Sequence, residues 1–153
     1  MLKQSAGILL YRKRDKQLLV FLVHPGGPFW KNKDAGVWSI PKGEFSDNEE
    51  ALAAAKREFF EETGQPIDGN FIKLTPVIQK SGKTVHAWAV EGDVDADHIV
   101  SNTFPLEWPP KSGKFVDVPE IDKAGWFQID EAKEKVNPAQ YALIEELKVT
   151  VNL

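Results

Sequence analysis

The chain has 153 residues, 42% of them hydrophobic and 27% charged, the balance of a folded globular protein and not of a disordered one. It contains no cysteine, which excludes disulfides, thiolate metal sites and cysteine nucleophiles. Twenty-three acids against 19 bases leave a net charge of −4, a poor match for nonspecific duplex binding, and no apolar run approaches the roughly 20 residues a membrane helix needs. The expectation is one domain, residues 1–153, in the cytoplasm, with neither membrane nor duplex nucleic acid as partner.

Ser5–Tyr11 and Gln17–Val23 are apolar and β-prone, and the polar stretch Arg12–Lys16 between them predicts a hairpin. Pro25-Gly26-Gly27-Pro28 ends the second strand, and a loop carrying Phe29 and Trp30 runs to Ala35. Val37–Ile40 reads as a short strand stopped by Pro41. Ser46-Asp47-Asn48-Glu49 has the grammar of a capping box, with Ser46 accepting from the amide of Glu49 and Glu49 reaching back. The helix it opens runs to Thr63, where Gly64 supplies a left-handed stop.

Phe71–Gln79 and Thr84–Val90 predict a second strand pair, turned at Ser81-Gly82. Glu91–Val118 is acidic, contains prolines and reads as irregular; Gly125–Ile129 reads as a short strand. Asn137-Pro138, a cap residue followed by proline, opens a last helix whose Tyr141, Leu143, Ile144 and Leu147 form a core-facing stripe. Strands interspersed with two distant helices predict an α/β fold, a mixed sheet with helices on its faces.

The negative charge is concentrated. Glu44 to Glu62 holds seven acids and two bases, a net −5 against −4 for the whole chain. Residues three and four apart on a helix are neighbours, so Glu58, Glu61 and Glu62 form one cluster. The cluster lies in the last turn, where the helix dipole disfavours acids. The opposite sector holds Leu52, Ala55, Phe59 and Thr63, which should face the core. Isolated acidic helix faces are usually just solvated. A rigid helix that breaks local rules this way is also what a divalent cation needs, since hard cations take oxygen ligands and use carboxylates together with phosphates.

The spacing is more specific. Gly43, Glu49, Arg57, Glu58, Glu61, Glu62 and Gly64 fall in the pattern G-(5)-E-(7)-R-E-F-F-E-E-T-G. This resembles the Nudix box of the Nudix hydrolase family. Gln65 stands where an aliphatic residue is usual, with Ile67 expected to supply the apolar contact, and Phe59 replaces a more usual aliphatic residue. Trp38-Ser39-Ile40-Pro41-Lys42-Gly43 is similar to the lead-in of such boxes, and Pro119-Glu120-Ile121-Asp122 with Trp126-Phe127 is similar to a late strand of the fold.

The resemblance implies a Nudix α/β/α sandwich with a loop-helix-loop catalytic motif. It implies a metal-dependent hydrolase, using Mg²⁺ or Mn²⁺, that cleaves a pyrophosphate bond in a nucleoside diphosphate linked to another moiety. The lead-in favours a dinucleoside polyphosphate over a nucleoside triphosphate. The alternative is an inactive Nudix-fold module that binds a nucleotide or a protein. Metal ligands are expected at Glu58, Glu61 and Glu62, with a backbone carbonyl at Lys42 or Gly43 adding one. Arg57 would orient the carboxylates, with Glu49 as its partner, and Glu61, Arg57 and Glu107 are the expected catalytic residues.

Glu107 is the first candidate for a distant general base and Glu120 the second, with a supporting role. Lys42 would lie near the phosphates, and Trp108 and Phe104 lead Trp30 and Trp88 as partners for a base; Trp38 and Trp126 read as core. His24, His86 and His98 form no zinc spacing. The expected partner is a small-molecule nucleotide, with monomer and homodimer both open.

Overall fold

The computed structural model describes residues 3–151. The strands are β1 (Gln4–Arg14), β2 (Gln17–Pro25), β3 (Lys42–Glu44), β4 (Ile72–Lys73), β5 (Val77–Ile78), β6 (Thr84–Glu91), β7 (Thr103–Glu107), β8 (Phe115–Pro119) and β9 (Ile121–Gln128). The helices are α1 (Ala51–Thr63), α2 (Ile129–Lys135) and α3 (Tyr141–Val151).

The first hairpin forms as expected, with longer strands and a tighter turn. Asp15 and Lys16 both take positive φ, 52° and 66°, as a two-residue turn that matches strand twist requires. A seven-stranded sheet runs β4-β6-β1-β2-β9, with β3 added to β1 and β5 to β6. It is mixed because β1 lies parallel to β6 and antiparallel to β2.

Along β1 the partner changes. Tyr11–Arg14 pair with β2, whereas Ser5–Gly7 pair with β3. Trp38 and Ser39 lie apart from β1. Ser39 exchanges backbone hydrogen bonds with Val23, and Trp38 does so with the backbone at Lys135 and Asn137. The expected strand Val37–Ile40 is therefore a pair of isolated bridges, because adjacent residues pair with different partners.

Strand alternation gives the sheet two apolar faces. Ala6, Ile8, Leu10 and Phe21 pack against Ala54, Ala55 and Phe59 of α1. Leu9, Val20 and Leu22 pack on the other face with Ala132 of α2 and Leu143, Ile144 and Leu147 of α3. This is the expected α/β/α sandwich. Each large aliphatic side chain buried this way is worth about 1.5–3 kcal/mol before entropy is counted.

Several local expectations are corrected. Helix α1 starts after Glu50 with no side-chain cap. The capping box does not form, because the Glu49 carboxylate is bound by Arg57. Gly64 does end the helix, with φ 73° and its amide donating to the Phe60 carbonyl. Phe71–Gln79 is two short strands broken at Thr75-Pro76. The stretch expected to be irregular holds the separate two-stranded ribbon β7–β8. Pro105 hides it in the sequence, yet a ribbon tolerates proline because each strand has an unpaired edge.

Helix α2 is a third helix beyond the two expected. Asp130 and Glu131 in its first turn and Lys133 and Lys135 in its last suit the dipole. Tyr141 leaves the predicted core stripe and is 42% exposed; the fully buried Gln140 takes its place. Among the described residues, no helix is long and apolar enough to cross a membrane.

Candidate active site

The site lies where β3, α1 and the start of β9 meet. Gly43 makes the closest approach: a Cβ there would sit 2.1 Å from the carboxyl carbon of Glu58. Glycine is what lets that carboxylate lie on the β3 backbone. One turn later Glu62 Oε1 accepts from the amide of Lys42 at 3.3 Å. Glu120, just before β9, completes a group of three: oxygens of Glu58, Glu62 and Glu120 all lie within 4.8 Å of one another.

Glu58 and Glu62 are only 8% and 7% exposed. Burial raises the Glu58 pKa above the ordinary glutamate range, with the charge of Glu61 adding to it and Arg57 opposing it. Burial raises Glu62 much further, helped by Glu120 and Glu58. Glu120 is raised by burial and then by Glu61. Lys42 moves the other way: burial lowers its pKa, and Lys83 lowers it further. Three crowded, poorly solvated carboxylates form a set of hard oxygen donors, and their chemistry fits Mg²⁺ or Mn²⁺.

Arg57 braces the group. It donates to both oxygens of Glu49 at 2.8 and 2.9 Å, to Glu58 at 2.9 Å and to Glu61 at 3.1 Å. Its pKa is raised, chiefly by the Glu49 hydrogen bonds. Glu61 is half-buried on the same side and lies outside the group of three.

A cavity of about 380 Å³ opens beside the carboxylates. Its lining joins Lys42, Glu62 and Glu120 to the aromatic rings of Trp30 and Phe104 and to the amides of Gln79, Asn137 and Gln140. The buried Gln140 carboxamide accepts from the Ile40 amide at 3.0 Å and donates to Ser39 Oγ at 3.0 Å and Gln79 Oε1 at 3.3 Å. It ties α3 to the chain leading into β3.

Of the residues singled out in the sequence, Glu58, Glu62, Gly43 and Lys42 come together, and Phe104 lines the same cavity. Glu107 is not brought to them. Its carboxylate accepts from the amides of Lys111 and Gly113, both at 3.1 Å, and so holds the tip of the β7–β8 ribbon. Trp108 does not line the cavity; its ring meets Phe29 edge-on at 5.2 Å. Trp88 is buried in the core on the α1 face.

Sequence reasoning missed Gln140 and Asn137 and gave Glu120 only a supporting place. Gln140 had a signal, a polar residue at the head of the i, i+3, i+4, i+7 stripe it shares with Leu143, Ile144 and Leu147. Glu120 had only the resemblance of Pro119-Glu120-Ile121-Asp122 to a late strand, since its partners are more than 50 residues away.

The family model described as NUDIX domain matches residues 1–147. An Ap4A hydrolase from C. elegans, solved as a binary complex, is similar with a TM-score of 0.67 at 17% identity, over 96% of this chain and 97% of that one. The NUDIX domain of Shewanella oneidensis NrtR, complexed with ADP ribose, has a TM-score of 0.68 at 15% identity, over 99% and 90%. A mutT/nudix family protein from Listeria innocua has a TM-score of 0.64 at 18% identity, over 97% and 93%. At these identities the structures show a shared fold. No curated protein matches.

Proposed function

Because the chain belongs to the NUDIX domain family, we propose that it is a metal-dependent hydrolase of nucleotide pyrophosphate bonds. The observation that supports this most is the trio Glu58, Glu62 and Glu120, the first two buried, set beside Lys42 at a cavity with aromatic walls. The proposed substrate is a nucleoside diphosphate linked to another moiety, with dinucleoside polyphosphates ahead of nucleoside triphosphates. The named ligands and activities of two structural neighbours, Ap4A hydrolase and an ADP-ribose complex, fall in that chemical class.

In this reading Glu58, Glu62 and Glu120 hold Mg²⁺ or Mn²⁺, with the Gly43 carbonyl as a further oxygen donor. Held there, the cation would supply charge neutralisation and polarisation at the phosphate oxygens. Lys42 faces the phosphates with an ammonium that burial has made costly to leave unpaired. Glu61 accepts the proton of the attacking water, and Arg57 fixes Glu61 and Glu58 relative to each other. Trp30 and Phe104 flank a base, and the Asn137 carboxamide lies toward its edge, while Gln140 holds the wall behind it through Ile40, Ser39 and Gln79. Glu107 has no part in this reading, because two amides hold its carboxylate. The absence of cysteine suits a cytoplasmic setting.

The test is product analysis with Mg²⁺ on diadenosine polyphosphates, deoxynucleoside triphosphates, ADP-ribose and nucleotide sugars. Cleavage of an anhydride bond that vanishes in Glu62→Gln supports the reading. Binding without turnover of any of them would instead make the protein a nucleotide-binding module.

A further inference from the structure

His24 is fully buried at the end of β2 and does not line the cavity. Both ring nitrogens are engaged. Nε2 donates to the carbonyl of Lys33 at 2.7 Å, and Nδ1 meets Asp122 Oδ1 at 2.8 Å. Trp38 closes over the ring edge-on at 5.2 Å, with the Lys123 ammonium above the indole.

These two bonds belong to a closed circuit. Lys33 donates its amide to the Trp30 carbonyl at 2.9 Å, and Trp30 donates to the Gly27 carbonyl at 3.2 Å. The next residue back, Gly26, donates to the Glu120 carbonyl at 2.8 Å. Two residues past Glu120, Asp122 returns to His24. Only glycine fits at position 26, because a Cβ there would lie 2.1 Å from the Pro119 carbonyl oxygen. The β2–β9 register is bulged at His24/Pro25, so the ladder alone does not hold this corner. One circuit thus carries an aromatic wall of the cavity and one carboxylate of the trio.

We propose that His24 is a positioning residue that sets the Trp30 wall through Nε2 and the Glu120 carboxylate through Nδ1. This rests on the reading that the trio holds a divalent cation and that Trp30 faces the nucleotide. The two arms are separable, because an asparagine amide replaces the Nδ1 position and a glutamine amide the Nε2 position. His24→Asn keeps the Asp122 arm and gives up the Lys33 arm. His24→Gln does the reverse.

The experiment titrates Mn²⁺ alone into the wild type, His24→Asn and His24→Gln by electron paramagnetic resonance, and measures KM at saturating Mn²⁺ on the best substrate. His24→Gln is expected to weaken Mn²⁺ by about tenfold, the usual cost of losing a partner behind a ligand, with KM little changed. His24→Asn is expected to keep wild-type Mn²⁺ affinity and raise KM about fivefold, the worth of one hydrogen bond. His24→Phe, which removes both arms at similar volume, should show both effects where thermal melting shows it folded. Two variants that shift both quantities alike, or neither, would overturn the proposal while leaving the function standing. A wild type that binds no Mn²⁺ would overturn both.

Discussion

Glu49 and Arg57 meet through two parallel hydrogen bonds of 2.8 and 2.9 Å, joining the turn before α1 to the middle of the helix. The pair explains how the helix tolerates acids near its C-terminal end. Arg57 donates from Nη1 to Glu58 and Glu61, so one guanidinium screens two carboxylates while a third anchors it. Lysine cannot reproduce this fork. Arg57→Lys should keep the fold and lower both Mn²⁺ affinity and kcat by about 10- to 100-fold, the range for residues that orient ligands. Glu49→Gln should show a smaller loss in the same direction. Titration with Mn²⁺ and steady-state kinetics on both variants check this; wild-type values for Arg57→Lys would refute it.

Glu62 provides a pH test without metal. Its pKa in the folded protein lies well above the ordinary 4.5, because burial and the neighbouring Glu120 and Glu58 disfavour the charge. From pH 4.5 upward the unfolded chain has lost a proton that the folded one keeps. Glu62 therefore costs stability progressively as pH rises towards the folded pKa. Glu62→Gln removes that cost and can still accept from the Lys42 amide. In metal-free buffer the variant should melt higher than the wild type, by a margin that grows as pH rises from 4.5 towards the folded pKa. Each kcal/mol gained appears as about 2–4 °C in a chain of this size. Saturating Mg²⁺ should raise the wild type alone and close the gap. A margin independent of pH, or one unaffected by Mg²⁺, would count against the account.

The extent to which the site was legible in the sequence follows the reach of its contacts. Gly43, Arg57, Glu58 and Glu62 were readable because helix geometry and the box spacing relate residues within one short segment. Phe104 and Glu120 stand out as candidates in the sequence, but their meeting at one cavity depends on sheet order, which local pattern does not encode. Glu107 is the first candidate for a general base because it lies in the segment expected to be irregular; that segment forms a hairpin in which two amides hold its carboxylate. The capping box failed by the same logic. Glu49 had a choice between the Ser46 amide and a guanidinium eight residues on, and the charge-assisted bidentate bond is the stronger one.

Gly43 separates fold from chemistry. An alanine Cβ would strike the Glu58 carboxylate, the mobile end of a long side chain, and not rigid backbone at that contact. The side chain can swing aside at little cost, so Gly43→Ala should melt within a few degrees of the wild type. The displaced carboxylate no longer faces Glu62 and Glu120, so Mn²⁺ affinity should fall at least tenfold. A calorimetric melt paired with a Mn²⁺ titration decides it. Unchanged affinity would mean that Glu58 is not needed as a ligand.

The cavity wall distinguishes the two aromatic residues first favoured for base binding. Phe104 lines the cavity with Trp30 and is partly exposed, so its ring supports little of the fold. Trp108 packs edge-on against Phe29 instead. Stacking of a base on an aromatic face is worth about 1–3 kcal/mol, which is a change of roughly 5- to 150-fold in affinity. Phe104→Ala should therefore raise KM within that range and leave kcat at saturating substrate largely intact, because base contacts act on ground state and transition state alike. Trp108→Ala should leave KM near wild type and lower the melting temperature, since it removes a packing partner of Phe29. If instead Trp108→Ala carries the KM effect and Phe104→Ala does not, the base lies on the outer side of the ribbon and the assignment of the cavity is wrong.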